Sequence, residues 1–206
     1  MKLPEFRAKE IFKQFDIPIP RSSLARNPSD ASRIARELGK PVVIKAQVLS
    51  GSRGKTGGIL FAQDPEEAKN QTRKLLNSKI CGIKVKSVLV EERLQICKEL
   101  YLGVTIDKLQ RKPVVIASSR GGVDIEEVTE RSPDRIYMLH VDPVYGLQEY
   151  QARYIIGKIG LKTKQYLRAI KILINLYQIF ETFDAELTEI NPLVVTEKNG
   201  VIAADA

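Results

Sequence analysis

The first candidate for chemistry is a lysine beside a glycine-rich loop, in the segment from Val42 to Leu60. The alternation of residues 42–48 predicts a β-strand with Lys45 on one face, so that its cation is held by a rigid element. Four glycines and two more cations follow, namely Gly51, Arg53, Gly54, Lys55, Gly57 and Gly58. Glycine lets a backbone come close to a ligand, and cations attract phosphate. The segment predicts a strand, a phosphate-holding loop and a second strand.

The tripeptide GKT at residues 54–56 has the form of the end of a P-loop, but its surroundings exclude one. A P-loop needs a glycine five residues before residue 54 and a helix directly after the motif. Leu49 occupies the first position, and two glycines at residues 57–58 oppose a helix start. Residues 59–62 predict a strand instead. For this stretch alone, a hairpin tip with solvated charges is the alternative interpretation.

A second constellation lies in a predicted β-hairpin over residues 185–206. If its turn is centred on Lys198, pairing sets Asn191 directly across from Asp205, whereas a turn nearer Gly200 shifts this register. Amide and carboxylate oxygens are hard ligands suited to Mg²⁺, which takes its remaining oxygens from water and phosphates. A polar strand end in water is the alternative interpretation.

Two acidic residues flank a polar connector at residues 92–98. Glu91 ends a strand predicted over residues 84–91, and Glu99 opens the next strand. At such a boundary a nucleotide base could meet backbone donors and acceptors, while Glu99 could accept hydrogen bonds from ribose. Exposed surface acids are the alternative interpretation.

The remaining pattern predicts the elements that position these residues. Helices are predicted over residues 4–15, 28–39, 65–77, 149–158 and 163–183, with a short one over 123–131. Strands are predicted over residues 99–106, 113–118 and 136–141. The buried side of the long helix is predicted to carry Leu167, Ile170, Leu173, Ile174, Tyr177 and Phe180. The composition shift at the connector predicts two α+β lobes: lobe A about residues 21–93, and lobe B about 1–20 plus 94–206.

Composition narrows the function classes. The 206 residues carry a formal charge of +8 and a pI near 9.4, which admits nucleic acid, anionic cofactors or an acidic partner. The basic residues are spread along the chain without an RNP-like aromatic pattern or zinc spacing, so we expect no nucleic-acid partner, and salt-sensitive binding would reveal one. The N-terminus lacks a signal-peptide pattern and no apolar run approaches the roughly 20 residues of a membrane span. We expect a cytoplasmic protein without a membrane partner.

The chain has two cysteines and one histidine. Cys81 and Cys97 lack CxxC spacing and are expected to be reduced, semi-buried thiols. His140 lies in an apolar stretch and is predicted to be a packed or surface side chain, not a catalytic base. The three make no recognisable metal spacing.

Taken in order, several segments resemble one family along the whole chain. They are EFRAKEIFKQFDIPIP, VVIKAQVLSGSRGKTGGI, VLVEE with CKELYLGVTID, ASSRGGVDIEEV, and EINPLVV with VIAADA. The chain resembles the N-terminal, ATP-grasp part of the β subunit of succinyl-CoA synthetase, the ADP-forming succinate-CoA ligase. The resemblance implies an α+β ATP-grasp fold, in which two lobes clasp a nucleotide.

The resemblance also implies roles for individual residues. Nucleotide phosphates would be contacted by Lys45, Ser52, Arg53 and Gly54, the base by Glu91 and the backbone near Leu94, the ribose by Glu99, and Mg²⁺ by Asn191 and Asp205. Ser52 departs from the family, which more often has glycine there. Pro20 stands where GTP-using relatives tend to carry Gln, which favours ATP.

The implied chemistry is phosphoryl transfer between Mg-ATP and a histidine on an α subunit, in an αβ or α2β2 assembly. This is the succinate-CoA ligase step of the tricarboxylic acid cycle, with small-molecule substrates. The nucleophile is expected on the α subunit, so no catalytic residue is expected in this chain. The family's C-terminal flavodoxin-like domain is expected to be absent, and this chain is expected to be inactive without that domain and the α subunit. A related acid:CoA ligase, such as malate-CoA ligase, and a catalytically silent nucleotide-binding module are the alternatives.

Overall fold

The structure is a computed structural model that describes residues 1–49, 54–123, 125, 127 and 132–206. The chain divides into two compact units. Unit 1 comprises Met1–Ala8 and Pro20–Leu94, and unit 2 comprises Lys9–Ile19 and Gln95–Ala206. This division differs from the predicted lobes at the N-terminus, because residues 1–8 belong to unit 1.

In the described part of the chain the helices α1 to α5 span Glu5–Gln14, Pro28–Leu38, Pro65–Leu76, Glu149–Gly157 and Thr163–Thr182. Strands β1 to β6 span Ser22–Ala25, Val42–Ala46, Ile59–Ala62, Lys79–Ile80, Ile83–Lys84 and Val88–Glu92. Strands β7 to β11 span Ile96–Asp107, Lys112–Ser118, Ile136–His140, Leu187–Thr196 and Val201–Ala203. A 3-10 turn, Pro133–Arg135, precedes β9. The mixture of helices and antiparallel sheets confirms the α+β class.

Unit 1 is built on a four-stranded antiparallel sheet in the order β1-β6-β2-β3. The predicted alternation of β2 is confirmed, because one face enters the core through Val42, Ile44, Ala46 and Val48. Helices α2 and α3 contribute Ile34, Ala35 and Leu75 to that core. The opposite face of β2 is also covered, since Lys45 and Gln47 are buried.

Both helices of this core begin where the sequence predicts, each behind a side chain that caps its N-terminus. The Asn27 side chain accepts from the Asp30 N–H at 2.9 Å, and Asp64 accepts from the N–H groups of Glu66 and Glu67. A proline occupies the first helical position in each case. These caps satisfy N–H groups that have no partner inside a helix.

One strand prediction in unit 1 is wrong. Residues 84–91 do not form a continuous strand, because Ile83–Lys84 pairs with β4 in a separate two-stranded sheet and β6 begins at Val88. Val85 is buried and its N–H bonds to the Ser78 carbonyl. The backbone between the two strands therefore uses its hydrogen bonds outside the main sheet.

Unit 2 is built on a five-stranded antiparallel sheet in the order β11-β10-β7-β8-β9. In the terminal hairpin Leu193 pairs with Ala203 and Val195 with Val201, so of the two registers left open by the sequence the structure has the one centred on Lys198. The register of β10 against β7 shifts between Ile190 and Leu193. The bulge lies beside Asn191, at the end of the hairpin that carries the predicted metal ligands.

Helix α5 packs its apolar side into the core of unit 2 with one exception to the prediction. Ile170, Leu173, Tyr177 and Phe180 are buried and Ile174 is partly buried. Leu167, predicted on the buried side, is 51% exposed. At 100° per residue, Leu167 lies on the opposite side of α5 from Gln165 and Ala169, which are buried in the same turns. The helix predicted over residues 123–131 falls largely outside the described residues.

We expect Leu173→Ala to destabilise unit 2 by about 2–5 kcal/mol, because it deletes a fully buried side chain and leaves a cavity. Urea denaturation followed by circular dichroism measures the loss. Leu167→Ala, the same change on the same helix at an exposed position, is the matched control and is expected to cost about 0.5 kcal/mol or less. Equal losses for the two variants would contradict the packing of α5.

Candidate functional site

Lys45 lies on β2 with its side chain 8% exposed and its ammonium between two carboxylates. Its Nζ is 2.9 Å from Glu5 Oε1 and 3.0 Å from Glu91 Oε1. Glu5 is the first residue of α1, and Glu91 lies on the neighbouring strand β6. The predicted phosphate lysine is therefore a buried cation held by acids from two other segments of the sequence.

The sequence suggests that Glu91 is a base contact or an exposed surface acid, but its carboxylate is buried against Lys45. Its side chain is only 4% exposed and its carboxylate contacts Lys45. Strand β6 ends in Glu92, two residues before Leu94, which is half-buried and is the last residue of unit 1. A contact with a nucleotide base near these residues would be made most readily by the backbone of the segment.

Glu92 anchors the end of β6. Its carboxylate accepts from the Arg21 backbone and side chain and from Lys40 Nζ. Burial alone would raise the pKa of Glu92, but these hydrogen bonds and the charge of Lys40 outweigh burial and lower its pKa. The carboxylate is therefore held in its ionised form, and it ties β6 to the start of β1.

Of the predicted loop residues, Gly54 lies in the described part of the chain, while Ser52 and Arg53 lie outside it. Gly54 is exposed in a turn, and an added Cβ would meet Ile59 Cδ1 at 3.6 Å, an ordinary contact. Packing with the described residues leaves room for a Cβ at Gly54. Close approach of a ligand would supply a reason for glycine at this position.

In unit 2 a glycine turn joins Glu99 to Asn191. The Gly121 N–H donates to the Glu99 carbonyl at 3.1 Å, and the Gly122 N–H donates to Asn191 Oδ1 at 2.7 Å. The Asn191 amide also donates to the Val123 carbonyl at 2.9 Å. The turn and the amide thus hold each other in place, and the N–H groups of both glycines are used within unit 2.

The two glycines are required by how closely the turn approaches β7. An added Cβ at Gly121 would lie 2.1 Å from the Leu100 carbonyl oxygen. Gly122 has a φ of +73°, and its added Cβ would lie 2.5 Å from Glu99 Oε2. Burial against these neighbours raises the pKa of the Glu99 carboxyl, although the residue as a whole remains exposed.

The hairpin register carries Asn191 and Asp205 to the same end of β10 and β11. Beyond the last strand pair, the Ala204 N–H donates to the Pro192 carbonyl at 3.1 Å, which continues the association of the two chains. Asp205 is half-buried and accepts from the Ala206 N–H at 2.8 Å. Asn191 Oδ1 accepts one hydrogen bond and has a second lone pair. One amide and one carboxylate oxygen with phosphate oxygens fit the hard donor set of Mg²⁺.

Among the residues that the structure describes, no group of three or more His, Cys, Asp or Glu side chains is placed to hold a metal. A metal in this region would therefore depend on ligands outside that set, such as the Asn191 amide, water and phosphate. No helix in the described part of the chain is long and apolar enough to span a membrane.

Several polar residues near the predicted site were given no role by the sequence reasoning. Glu5 and Gln47 surround Lys45, and in unit 2 the Tyr101 hydroxyl donates to Glu189 Oε2 at 3.0 Å. Strand alternation offered a signal for two of them, since Gln47 shares a face with Lys45 and Glu189 shares one with Asn191. Glu5 had no local signal, because its partner is 40 residues away.

His140 and the cysteines lie apart from these contacts. His140 Nε2 is 2.7 Å from Asp107 Oδ2, and this hydrogen bond is the main cause that lowers the pKa of Asp107. Cys81 and Cys97 are both exposed, so their predicted semi-burial is wrong. Cys81 stands in a tight turn with a positive φ, and Cys97 lies near the start of β7, where the side chains are still exposed.

Residues 2–195 match the family model of the ATP-grasp domain. The chain belongs to the ATP-grasp family, which confirms the fold expected from the resemblance.

Its relatives include the "Succinate--CoA ligase [ADP-forming] subunit beta" of Methanocaldococcus jannaschii, which is 45% identical over 100% of this chain and 56% of the relative. The "Succinate--CoA ligase [GDP-forming] subunit beta" of Thermus thermophilus is 43% identical over 100% of this chain and 54% of the relative. The resemblance to succinate-CoA ligase β subunits is thereby confirmed. The chain spans about half the length of these curated relatives.

A solved structure described as "Ca. Korarchaeum cryptofilum ACD1 in complex with coenzyme A" matches with a TM-score of 0.79. The match covers 99% of this chain and 91% of that chain at 22% identity. At this identity the match shows the shared fold alone.

We expect Gly121→Ala to destabilise unit 2 by about 1–3 kcal/mol or more, because the new Cβ would lie 2.1 Å from the Leu100 carbonyl oxygen, a backbone atom of β7. Urea denaturation measures the loss. Gly157→Ala is the matched control in the same unit, because its added Cβ would meet Tyr166 Cε2 at an ordinary 3.9 Å. Similar losses for the two variants would contradict the close approach of the turn to β7.

Proposed function

We propose that this chain is the nucleotide-binding part of a succinate-CoA ligase β subunit. It binds Mg-ATP and takes part in phosphoryl transfer to or from a histidine on an α subunit, within the reaction succinyl-CoA + ADP + Pi = succinate + CoA + ATP. The observation that carries this proposal is 45% identity to a succinate-CoA ligase β subunit over the whole of this chain. Because the chain spans about half of that relative, activity requires the α subunit and the remainder of a β subunit.

The phosphate contacts in this proposal are Lys45, Ser52, Arg53 and Gly54. Lys45 supports it because its cation is fixed on a strand by Glu5 and Glu91. Phosphoryl transfer depends mainly on positioning and on charges that oppose the negative charge of the transferring group. A cation already held in one orientation opposes that charge without reorganising during the reaction.

The metal contacts in this proposal are Asn191 and Asp205. When bound, Mg²⁺ offsets phosphate charge and fixes the geometry of the phosphate oxygens. This chain's own contribution is the placement of two oxygen donors at one end of a hairpin, with the Asn191 amide oriented by Gly122 and Val123.

The base and ribose contacts in this proposal are Glu91 with the backbone near Leu94, and Glu99. The carboxylate of Glu91 lies on Lys45, which favours backbone groups as the base contact. Glu99 is exposed and its pKa is raised by partial burial, and a partly desolvated carboxylate is a strong acceptor for ribose hydroxyls.

The proposed partner is a succinate-CoA ligase α subunit, in an αβ or α2β2 assembly, and the proposed location is cytoplasmic. The ADP-forming and GDP-forming relatives are almost equally similar to this chain, so overall identity does not separate ATP from GTP. Pro20 is buried and stands where GTP-using relatives tend to carry Gln, and this difference supports ATP as the preferred nucleotide. The main alternative within the fold is a related acid:CoA ligase, such as malate-CoA ligase.

We expect Mg-ATP to bind more tightly than ATP without Mg²⁺ and more tightly than Mg-GTP, as measured by calorimetry. Lys45→Gln, which keeps a donor for the buried carboxylates, is expected to weaken Mg-ATP binding about tenfold, the effect of losing a charge-assisted hydrogen bond. Asp205→Ala is expected to remove most of the dependence on Mg²⁺.

Two control variants match these changes. Lys74→Ala removes an exposed lysine of α3, and Glu197→Ala removes an exposed carboxylate from the turn of the terminal hairpin. Both are expected to bind Mg-ATP like the wild type. Affinity that is indifferent to Mg²⁺ and to Asp205→Ala would contradict the metal assignment, and wild-type affinity in Lys45→Gln would contradict the phosphate assignment.

We expect the chain, supplied with the α subunit and the remainder of the β subunit of a succinate-CoA ligase and with ATP labelled in the γ-phosphate, to transfer label to a histidine of the α subunit, and expect Lys45→Gln to reduce the transfer at least tenfold. Acid-labile phosphate on the α subunit is the measurement. Loss of the label when that histidine is replaced is the control. Intact nucleotide binding without transfer would favour a silent nucleotide-binding module.

A further inference from the structure

Four buried polar side chains form one connected network in unit 1. They are Glu5, Lys45, Gln47 and Glu91, each no more than 9% exposed. Gln47 Nε2 donates to the Lys45 carbonyl at 3.1 Å and lies 3.4 Å from Glu5 Oε2, while Gln47 Oε1 accepts from the Phe6 N–H at 3.0 Å. These contacts join the first turn of α1 to Lys45 on β2 and to Gln47, which directly follows β2.

Burial makes the partners of Lys45 indispensable to its charge. A lysine taken out of water favours its neutral form unless anions compensate for the lost solvation. Glu5 and Glu91 supply that compensation at 2.9 and 3.0 Å. Hydrogen bonds to two acceptors also restrict a side chain that otherwise has four rotatable bonds.

Glu5 is the partner that comes from outside the main sheet of unit 1. Its side chain is fully buried, and its position in the first turn of α1 suits a negative charge, because the N-terminus of a helix carries partial positive charge. Gln47 further orients the Glu5 carboxylate and holds the adjacent backbone at Phe6. A carboxylate fixed from two directions is suited to orienting the ammonium that it contacts.

We propose that Glu5 is a positioning residue for nucleotide binding: it keeps Lys45 charged and oriented toward the phosphates. The proposal rests on the proposed function of Lys45 as a phosphate contact. Glu5 acts through the lysine and touches no reacting atom. The opposite role, in which Glu5 withdraws Lys45 from phosphate, predicts tighter nucleotide binding when Glu5 is neutralised.

The experiment is a double-mutant cycle on the full 206-residue chain, with Mg-ATP affinity measured by calorimetry for wild type, Glu5→Gln, Lys45→Gln and the double variant. We expect Glu5→Gln to weaken Mg-ATP binding about tenfold in the wild-type background and to have no further effect in the Lys45→Gln background. A merely structural role of Glu5 would weaken binding by the same factor in both backgrounds.

Two further variants complete the experiment. Glu37→Gln, the same substitution on an exposed side chain of α2, is the control and is expected to bind like the wild type. Glu5→Asp keeps the charge but shortens the side chain, so we expect it to fold and to lose less affinity than Glu5→Gln. If Glu5→Gln does not fold, the cycle is run with Glu5→Asp, for which wild-type affinity would overturn the proposal.

Unchanged or tighter Mg-ATP binding by folded Glu5→Gln overturns the positioning role, as does an equal loss in both Lys45 backgrounds. These outcomes leave the proposed function intact, provided that Lys45→Gln still weakens binding. If Lys45→Gln binds like the wild type, or the wild type does not bind Mg-ATP, the proposed function fails and the role of Glu5 fails with it.

Discussion

The burial of one lysine is the constraint around which unit 1 is arranged. A charged group that leaves water must be met by opposite charge or hydrogen bonds, or its burial costs several kcal/mol. Lys45 is met by Glu5 from the first helix and Glu91 from the adjacent strand. Glu5 lies within the first eight residues of the chain, which belong to unit 1, and its contact with Lys45 joins that segment to the sheet.

Unit 2 is governed by a different constraint, the close approach of a glycine turn to its sheet. Gly121 and Gly122 lie where a Cβ would collide with Leu100 or Glu99, and Asn191 holds the turn through both ends of its amide. The proposed metal ligand is thus also a structural residue. Its orientation is set by backbone groups before any metal or nucleotide is bound, which is the preorganisation that binding sites require.

The structure and the relatives support different parts of the proposal. Family membership follows from the match over residues 2–195, while the assignment of roles to side chains depends on where the fold puts them. Glu91 illustrates the distinction, because the resemblance implies a base contact and the structure directs its carboxylate to Lys45. The position of a residue in a sequence motif does not by itself say whether its side chain contacts a ligand or supports a neighbouring side chain.

The sequence by itself determined the features that depend on neighbours along the chain. The alternation of β2 and the caps at Asn27 and Asp64 follow from local periodicity and local hydrogen bonding. The same local pattern predicted the terminal hairpin but left two registers open, and the structure has the one centred on Lys198. The α+β ATP-grasp fold followed from motifs in order along the chain.

Only the tertiary structure decided what each exposed or charged group contacts. Periodicity placed Leu167 on the buried side of α5, but the fold buries the side that carries Gln165 and Ala169, and Leu167 faces away from it. Sequence alternation predicted one strand over residues 84–91, but the Val85 N–H bonds to the Ser78 carbonyl and not to the main sheet. It gave no signal that Glu5 meets Lys45, because partners 40 residues apart are brought together only by folding.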